Sequence, residues 1–212
     1  MDRTIKGVIA VVLCAAIAAV AAYGSYLPMT KAQIYIGMLQ GFQSQPPSSL
    51  EDLETRIAVP LDYPSPIGQE EIVRNTANNV LSLLQRGLDA TSTAQLIDFL
   101  NGYFDPIIAR GRGMSFGQDV YLEGAINEIA FAQTGQAKYL DQAKQYYELG
   151  EKLGPNRPQT LYGLFDIYRA MGDATNTKLI AEKILANWPS DAQRIDAGMA
   201  QFFSATSSVK KK

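Results

Sequence analysis

Hydrophobic and polar positions divide the chain into two regimes. Residues 7–29 form an unbroken run of 23 uncharged positions, most apolar over residues 8–22 and rich in alanine and valine. As a helix this run is roughly 34 Å long, enough to cross a hydrocarbon core of about 30 Å. Beyond it, apolar residues recur at spacings of three and four, the period of helices with one buried face. Ile34, Ile36, Met38, Leu39 and Phe42 prolong the first helix, and Gln45-Pro46-Pro47-Ser48-Ser49 breaks it. Ser49 is placed to cap a short helix ending at Ala58, with Glu51 and Asp52 in a first turn that favours negative charge. Pro60, Pro64 and Pro66 then predict an extended, rigid connector.

Periodicity next predicts a helix over residues 68–86, with Ile72, Val73, Thr76, Val80, Leu83 and Leu84 on its buried face and Gly87 as its stop. Thr91 or Ser92 is expected to cap the following helix, whose apolar residues run from Leu96 to Phe104. Asp105-Pro106 is expected to restart a short turn, and Gly111-Arg112-Gly113 a loop without phosphate-loop neighbours. Residues 117–134 form a helix with Leu122, Ala125, Ile126, Ile129, Ala130 and Gln133 inside and Gly135 as its C-cap. Three more helices follow over residues 139–153, 158–171 and 177–188. A last one, begun by Ser190-Asp191, carries Ile195, Met199, Phe202 and Phe203. Alternating runs are absent, so the expected fold class is all-α.

The stretch from Tyr139 to Pro189 carries a repeat signal. Pro155 and Pro189 lie 34 residues apart, the period of tetratricopeptide arrays. Leu161, Leu164 and Tyr168, the Gly172-Asp173 turn, Ala181 and Pro189 resemble one such repeat. Ala143, Tyr147, Gly150 and Pro155 resemble the unit before it. Thr177 stands where the family prefers alanine. The resemblance implies an α-solenoid of antiparallel helix pairs, since a pair with one apolar face stacks on neighbours to bury it.

The whole order is also similar to the C-terminal, non-membrane part of bacterial O-antigen ligase/polymerase-like membrane proteins. Leu61-Asp62-Tyr63, the stretch Gly68-Gln69-Glu70-Glu71-Ile72-Val73-Arg74, and Pro155-Asn156-Arg157-Pro158-Gln159 carry that likeness. It implies a final membrane span, a proline-bearing linker and a helical-repeat domain. The multi-span catalytic body of those proteins has no counterpart in these residues.

Charge and composition narrow the chemistry. A net charge of −2 provides no basic face for nucleic acid. Lys210 to Lys212 is the one basic run and reads as a solvated end. With no histidine and a single cysteine, Cys14, the chain has no Ser-His-Asp triad, Cys-His pair, disulfide or cysteine-rich zinc site. Neither a cofactor nor a metal is expected. Glu70, Glu71, Glu123 and Glu128 are the carboxylates available for glycan cleavage, but separations of one and five put neither pair on one helix face. No catalytic residue is therefore assigned.

Arg3 and Lys6 precede the apolar run and only Lys31 closely follows it, which places the N-terminus in the cytoplasm and the helical domain outside. The run is an uncleaved anchor, the last span of a larger membrane protein, or a signal peptide cleaved after Ala19-Val20-Ala21. Its continuation through Leu27 favours the anchor, and a buried core helix is the remaining alternative. The expected layout is an anchor over residues 1–29, a helical extension and linker over 30–67, a helical domain over 68–205 and a disordered basic tail over 206–212.

The resulting expectation is a membrane-anchored interaction module with a protein or peptide partner, in cell-envelope polysaccharide assembly. A passive structural element is the second reading. On the helix over residues 158–171 Leu161, Leu164, Phe165 and Tyr168 take the core stripe, Tyr162, Asp166 and Arg169 share another face, and Glu123 and Asn127 share one on the neighbouring first helix. Together these five are the candidate partner-binding groove, with Tyr162 as its aromatic anchor. The competing reading is a solvated face with pairs such as Asp166 to Arg169.

Overall fold

The computed structural model describes residues 3–209. They form ten α-helices joined by short connections, with no strand among the described residues. Helix α1 (Arg3–Ala21) runs through a π-turn (Ala22–Tyr26) into α2 (Leu27–Ser44), making one rod of 42 residues. That rod is roughly 63 Å long, about twice a hydrocarbon core. No residue of α1 is buried in the protein. It is a helix near the N-terminus long and apolar enough to cross a membrane.

Burial begins in α2. Lys31 is 2% exposed, and its ammonium donates to Leu61 O at 3.1 Å, Tyr63 O at 2.6 Å and Gln69 Oε1 at 2.5 Å. An ammonium has three protons, and here each has an acceptor. One side chain thus pins the rod to the end of α3 (Leu50–Asp62), to the following connector and to α4 (Gln69–Leu84).

The connector is shorter than the prolines suggest. Ser49 caps α3 as expected, accepting from Asp52 N at 3.1 Å, but the helix passes through Pro60 to Asp62. Ile57, Pro60 and Leu61 lie on its buried face. Their burial outweighs the backbone bond that Pro60 removes close to the helix end. Helix α5 (Ala90–Arg110) departs from expectation twice. Asp89 caps it, accepting from Thr91 N and Ser92 N at 3.0 Å, so neither Thr91 nor Ser92 is the cap. It also runs unbroken through Pro106, with Phe104 and Ile107 buried on either side.

The remaining helices are α6 (Phe116–Thr134), α7 (Ala137–Leu153), α8 (Pro158–Met171) and α9 (Ala174–Asn187). A 3₁₀ turn (Pro189–Asp191) leads into α10 (Ala192–Val209), so helix continues beyond residue 205, where a disordered tail was expected. Lys210 to Lys212 lie outside the described residues.

Two hydrophobic clusters hold the helices together. One joins α2 to α6 and includes Leu84, Leu96, Phe104 and Val120; the other joins α7, α8, α9 and Ile195. Tyr121 and Phe131 of α6 pack against both. Tyr147 of α7 is the tightest joint. Its ring lies so close to Gly124 of α6 and Gly163 of α8 that a Cβ at either glycine would collide with it. The two missing side chains make a slot that lets α7 sit close to both helices.

Candidate functional site

Helix α6 packs against α4, α5, α7 and α8, while α9 packs against α8. Between α4, α6 and the start of α8 a pocket of about 440 Å³ opens. Arg74 and Asn78 line it from α4, Gln118 and Tyr121 from α6, and Arg157 and Gln159 from the start of α8. The lining contains no carboxylate. Arg74 and Arg157 belong to two of the three motif stretches, residues 68–74 and 155–159, which lie far apart in the chain and meet here.

Neutral groups position both guanidiniums. Arg74 donates through Nη1 to Ser115 Oγ. Arg157 lies over two glycines, and a Cβ at Gly117 or Gly154 would run into its side chain. Its guanidinium has neither a carboxylate partner nor a hydrogen bond among the described residues. Two acidic groups lie nearby, and the charge of Arg74 acts on the second of them. Glu70 is paired with Arg110, and Asp119 is buried outside the pocket lining.

A line of buried polar side chains runs along α6 behind the pocket. Asp119, Glu123 and Asn127 are 0%, 2% and 1% exposed. Burial pushes Glu123 up to about 8, helped by Asp105 and Asp119 and opposed by a hydrogen bond with Tyr146. Burial, with Glu70 next in size, raises Asp119 to about 6, and neither of its carboxyl oxygens has a hydrogen-bond partner among the described residues. Glu128 is raised to about 7 by burial, against the hydrogen bond that Tyr147 Oη donates to it at 2.6 Å.

The five residues expected to form one groove are not brought together on one open face. Glu123 and Asn127 lie inside the packing, where Asn127 Nδ2 donates to Glu123 O at 2.9 Å. Tyr162, Asp166 and Arg169 are tied up where α8 meets the C-terminal turn and α10. Tyr162 donates its hydroxyl to Asp191, its ring lies 6.3 Å from that of Trp188, and Arg194 sits 4.4 Å over it. Arg169 pairs with Asp166 at 3.1 Å and donates to Gln201 Oε1 at 3.1 Å. The physical reason is the position of α6. Helices on four sides enclose the middle of α6, residues 122–127, so a polar pair at a spacing of four there lies inside the packing.

Arg74, Tyr121 and Arg157 were not singled out as site residues. Their signal was indirect, since both arginines lie within motif stretches and Tyr121 lies one turn before Ala125. Among the described residues, no group of three or more histidine, cysteine or acidic side chains could hold a metal ion. No family model, curated protein or solved structure matches this chain.

Proposed function

We propose that the protein is a membrane-tethered, extracytoplasmic helical-repeat module that captures a polypeptide partner on the face formed by α4, α6 and α8. The observation that carries the reading is the row of these three helices, side by side, with an open pocket among them and α5, α7 and α9 packed beside their partners. The tetratricopeptide-like register of residues 139–189 supports it, because stacked helix pairs of that kind offer one extended surface for binding. The resemblance of residues 61–63, 68–74 and 155–159 to O-antigen ligase/polymerase-like proteins is the ground for proposing cell-envelope polysaccharide assembly as the setting. In this reading α1 is the membrane span, and Lys31 fixes the orientation in which the domain leaves the membrane.

The test is site-specific crosslinking in native membranes. A photoreactive residue at Gln118, on the pocket side, is expected to give a discrete crosslinked polypeptide. The same group at Lys178, exposed on α9, is expected to give none. Identical patterns at both positions, or no product at Gln118, would remove the reading.

A further inference from the structure

We infer that the loops over residues 63–68 and 111–115 rest on the bilayer that α1 crosses, with Ile67 and Met114 seated in its headgroup region. This deepens the proposed function and rests on its reading of α1 as the membrane span. Topology puts both loops at the end of the domain where the rod emerges. Lys31 follows Met29, the last residue of the uncharged run, by two positions, about 3 Å of helix rise. A helical side chain leans toward the N-terminus of its helix, so this ammonium reaches back toward the membrane. Its acceptors, Leu61 O, Tyr63 O and Gln69 Oε1, bracket the loop that carries Ile67. The second loop is carried to the same end by α5. Gln95 donates to Glu54 Oε2 at 3.0 Å and Tyr103 to Asp62 Oδ1 at 2.9 Å, and both pairs stand 41 positions apart. Helices α3 and α5 therefore run side by side in one direction. Helix α3 ends at Asp62, whereas α5 continues past Tyr103 to Arg110, about two turns or roughly 10 Å further toward the membrane.

Exposure follows the same edge. Single exposed apolar side chains are common on any protein and carry no meaning alone. Beyond α2, however, the three most exposed large apolar residues among those described are Met114 at 95%, Ile67 at 59% and Val59 at 57%, and all three lie at this end. The loop that presents Met114 is held in place. Arg110 pairs with Glu70, and a Cβ at Gly113 would run into the Glu70 carboxylate, so the loop is pressed against the start of α4. Asp62, Glu70 and Glu71 offset Arg74, Arg110 and Arg112 here, so the contact depends on apolar insertion more than on attraction to anionic lipid. Arg112 is exposed and has no ion pair among the described residues. Beside Met114 it is placed to meet lipid phosphates while the apolar side chain enters.

The experiment uses the full chain in phosphatidylcholine nanodiscs, with an environment-sensitive fluorophore on a single cysteine and lipids bearing a nitroxide either near the headgroup or deep in the acyl chain. In the Cys14→Ser background, a label at Met114→Cys is expected to emit to the blue of one at Lys178→Cys and to be quenched by the shallow nitroxide, while the label at position 178 is quenched by neither. A label on Cys14 of the otherwise unchanged chain is expected to be quenched by the deep nitroxide, which reports on the span by itself. Amide exchange of the unlabelled chain gives a reading free of the fluorophore. Residues 111–115 are expected to exchange about tenfold more slowly in nanodiscs than in amphipol, and Met114→Asp, a change at an exposed position, is expected to remove that difference. The inference is overturned if the labels at positions 114 and 178 behave alike, or if residues 111–115 exchange equally in both environments. Quenching of Cys14 with none at position 114 would remove this inference and leave the span standing, whereas an unquenched Cys14 would remove both.

Discussion

Glu123 shows how one buried group makes stability depend on pH. Its folded pKa of about 8 lies above the ordinary glutamate value because burial disfavours the charged form. The folded state therefore holds a proton that the unfolded chain has already released between about pH 4.3 and pH 8. The stabilisation is fully present below the unfolded pKa and is lost as pH rises through the folded one. Asp119, raised to about 6, and Glu128, raised to about 7, act in the same direction. The melting temperature is expected to fall between pH 5 and pH 8.5. Glu123→Gln keeps a neutral group in place, so it should flatten that fall and melt roughly 5 °C higher than wild type at pH 8.5. Scanning fluorimetry across that range checks it, and identical profiles for the two proteins would exclude Glu123 as a source.

At the scale of elements, the joint between the N-terminal rod and the domain combines the apolar contacts of Tyr35, Met38, Leu39 and Phe42 with the ammonium of Lys31. Its three acceptors come from the end of α3, the connector and α4, so removing the ammonium undoes three attachments at once. Lys31→Met keeps the length of the side chain and leaves those oxygens without their donor. Unpaired buried acceptors cost about 1–3 kcal/mol each, and the variant is expected to lose roughly 3 kcal/mol or more. The loss should appear locally, as faster amide exchange and proteolysis in residues 63–68, with the α8–α9 hairpin unchanged. Equal exchange in the two proteins would mean that apolar contacts between α2 and α3 carry the joint instead.

For the whole molecule the decisive property is where the rod lies. Cys14 is the only cysteine and is exposed on α1, so it reports directly on the surroundings of the helix. In opened membrane preparations it is expected to resist a membrane-impermeant maleimide and to react fully after denaturation in detergent. In the cysteine-free background, Ser190→Cys on the domain should label from outside intact cells. Labelling of Cys14 without detergent would contradict a membrane span, and protection of the residue 190 thiol in intact cells would reverse the proposed orientation.

The sequence by itself determined the helical class, the apolar N-terminal helix, and most helix ends that depend on local chemistry. The Ser49 cap and the Gly111, Gly135 and Gly172 stops follow from groups within a few residues of each other. Helical period also identified Leu161, Leu164, Phe165 and Tyr168 as buried on α8. Only the tertiary structure decided which polar residues are inside. Glu123 and Asn127 have the spacing of a solvated face, yet α6 is enclosed by four helices, and a one-dimensional pattern does not record how many neighbours a helix has. The continuity of α3 through Pro60 and of α5 through Pro106 was likewise set by burial on both sides of each proline, against local propensity. The pocket is the most non-local feature. Arg74 and Arg157 stand 83 positions apart in the chain, and they meet because α4 and α8 both pack on α6.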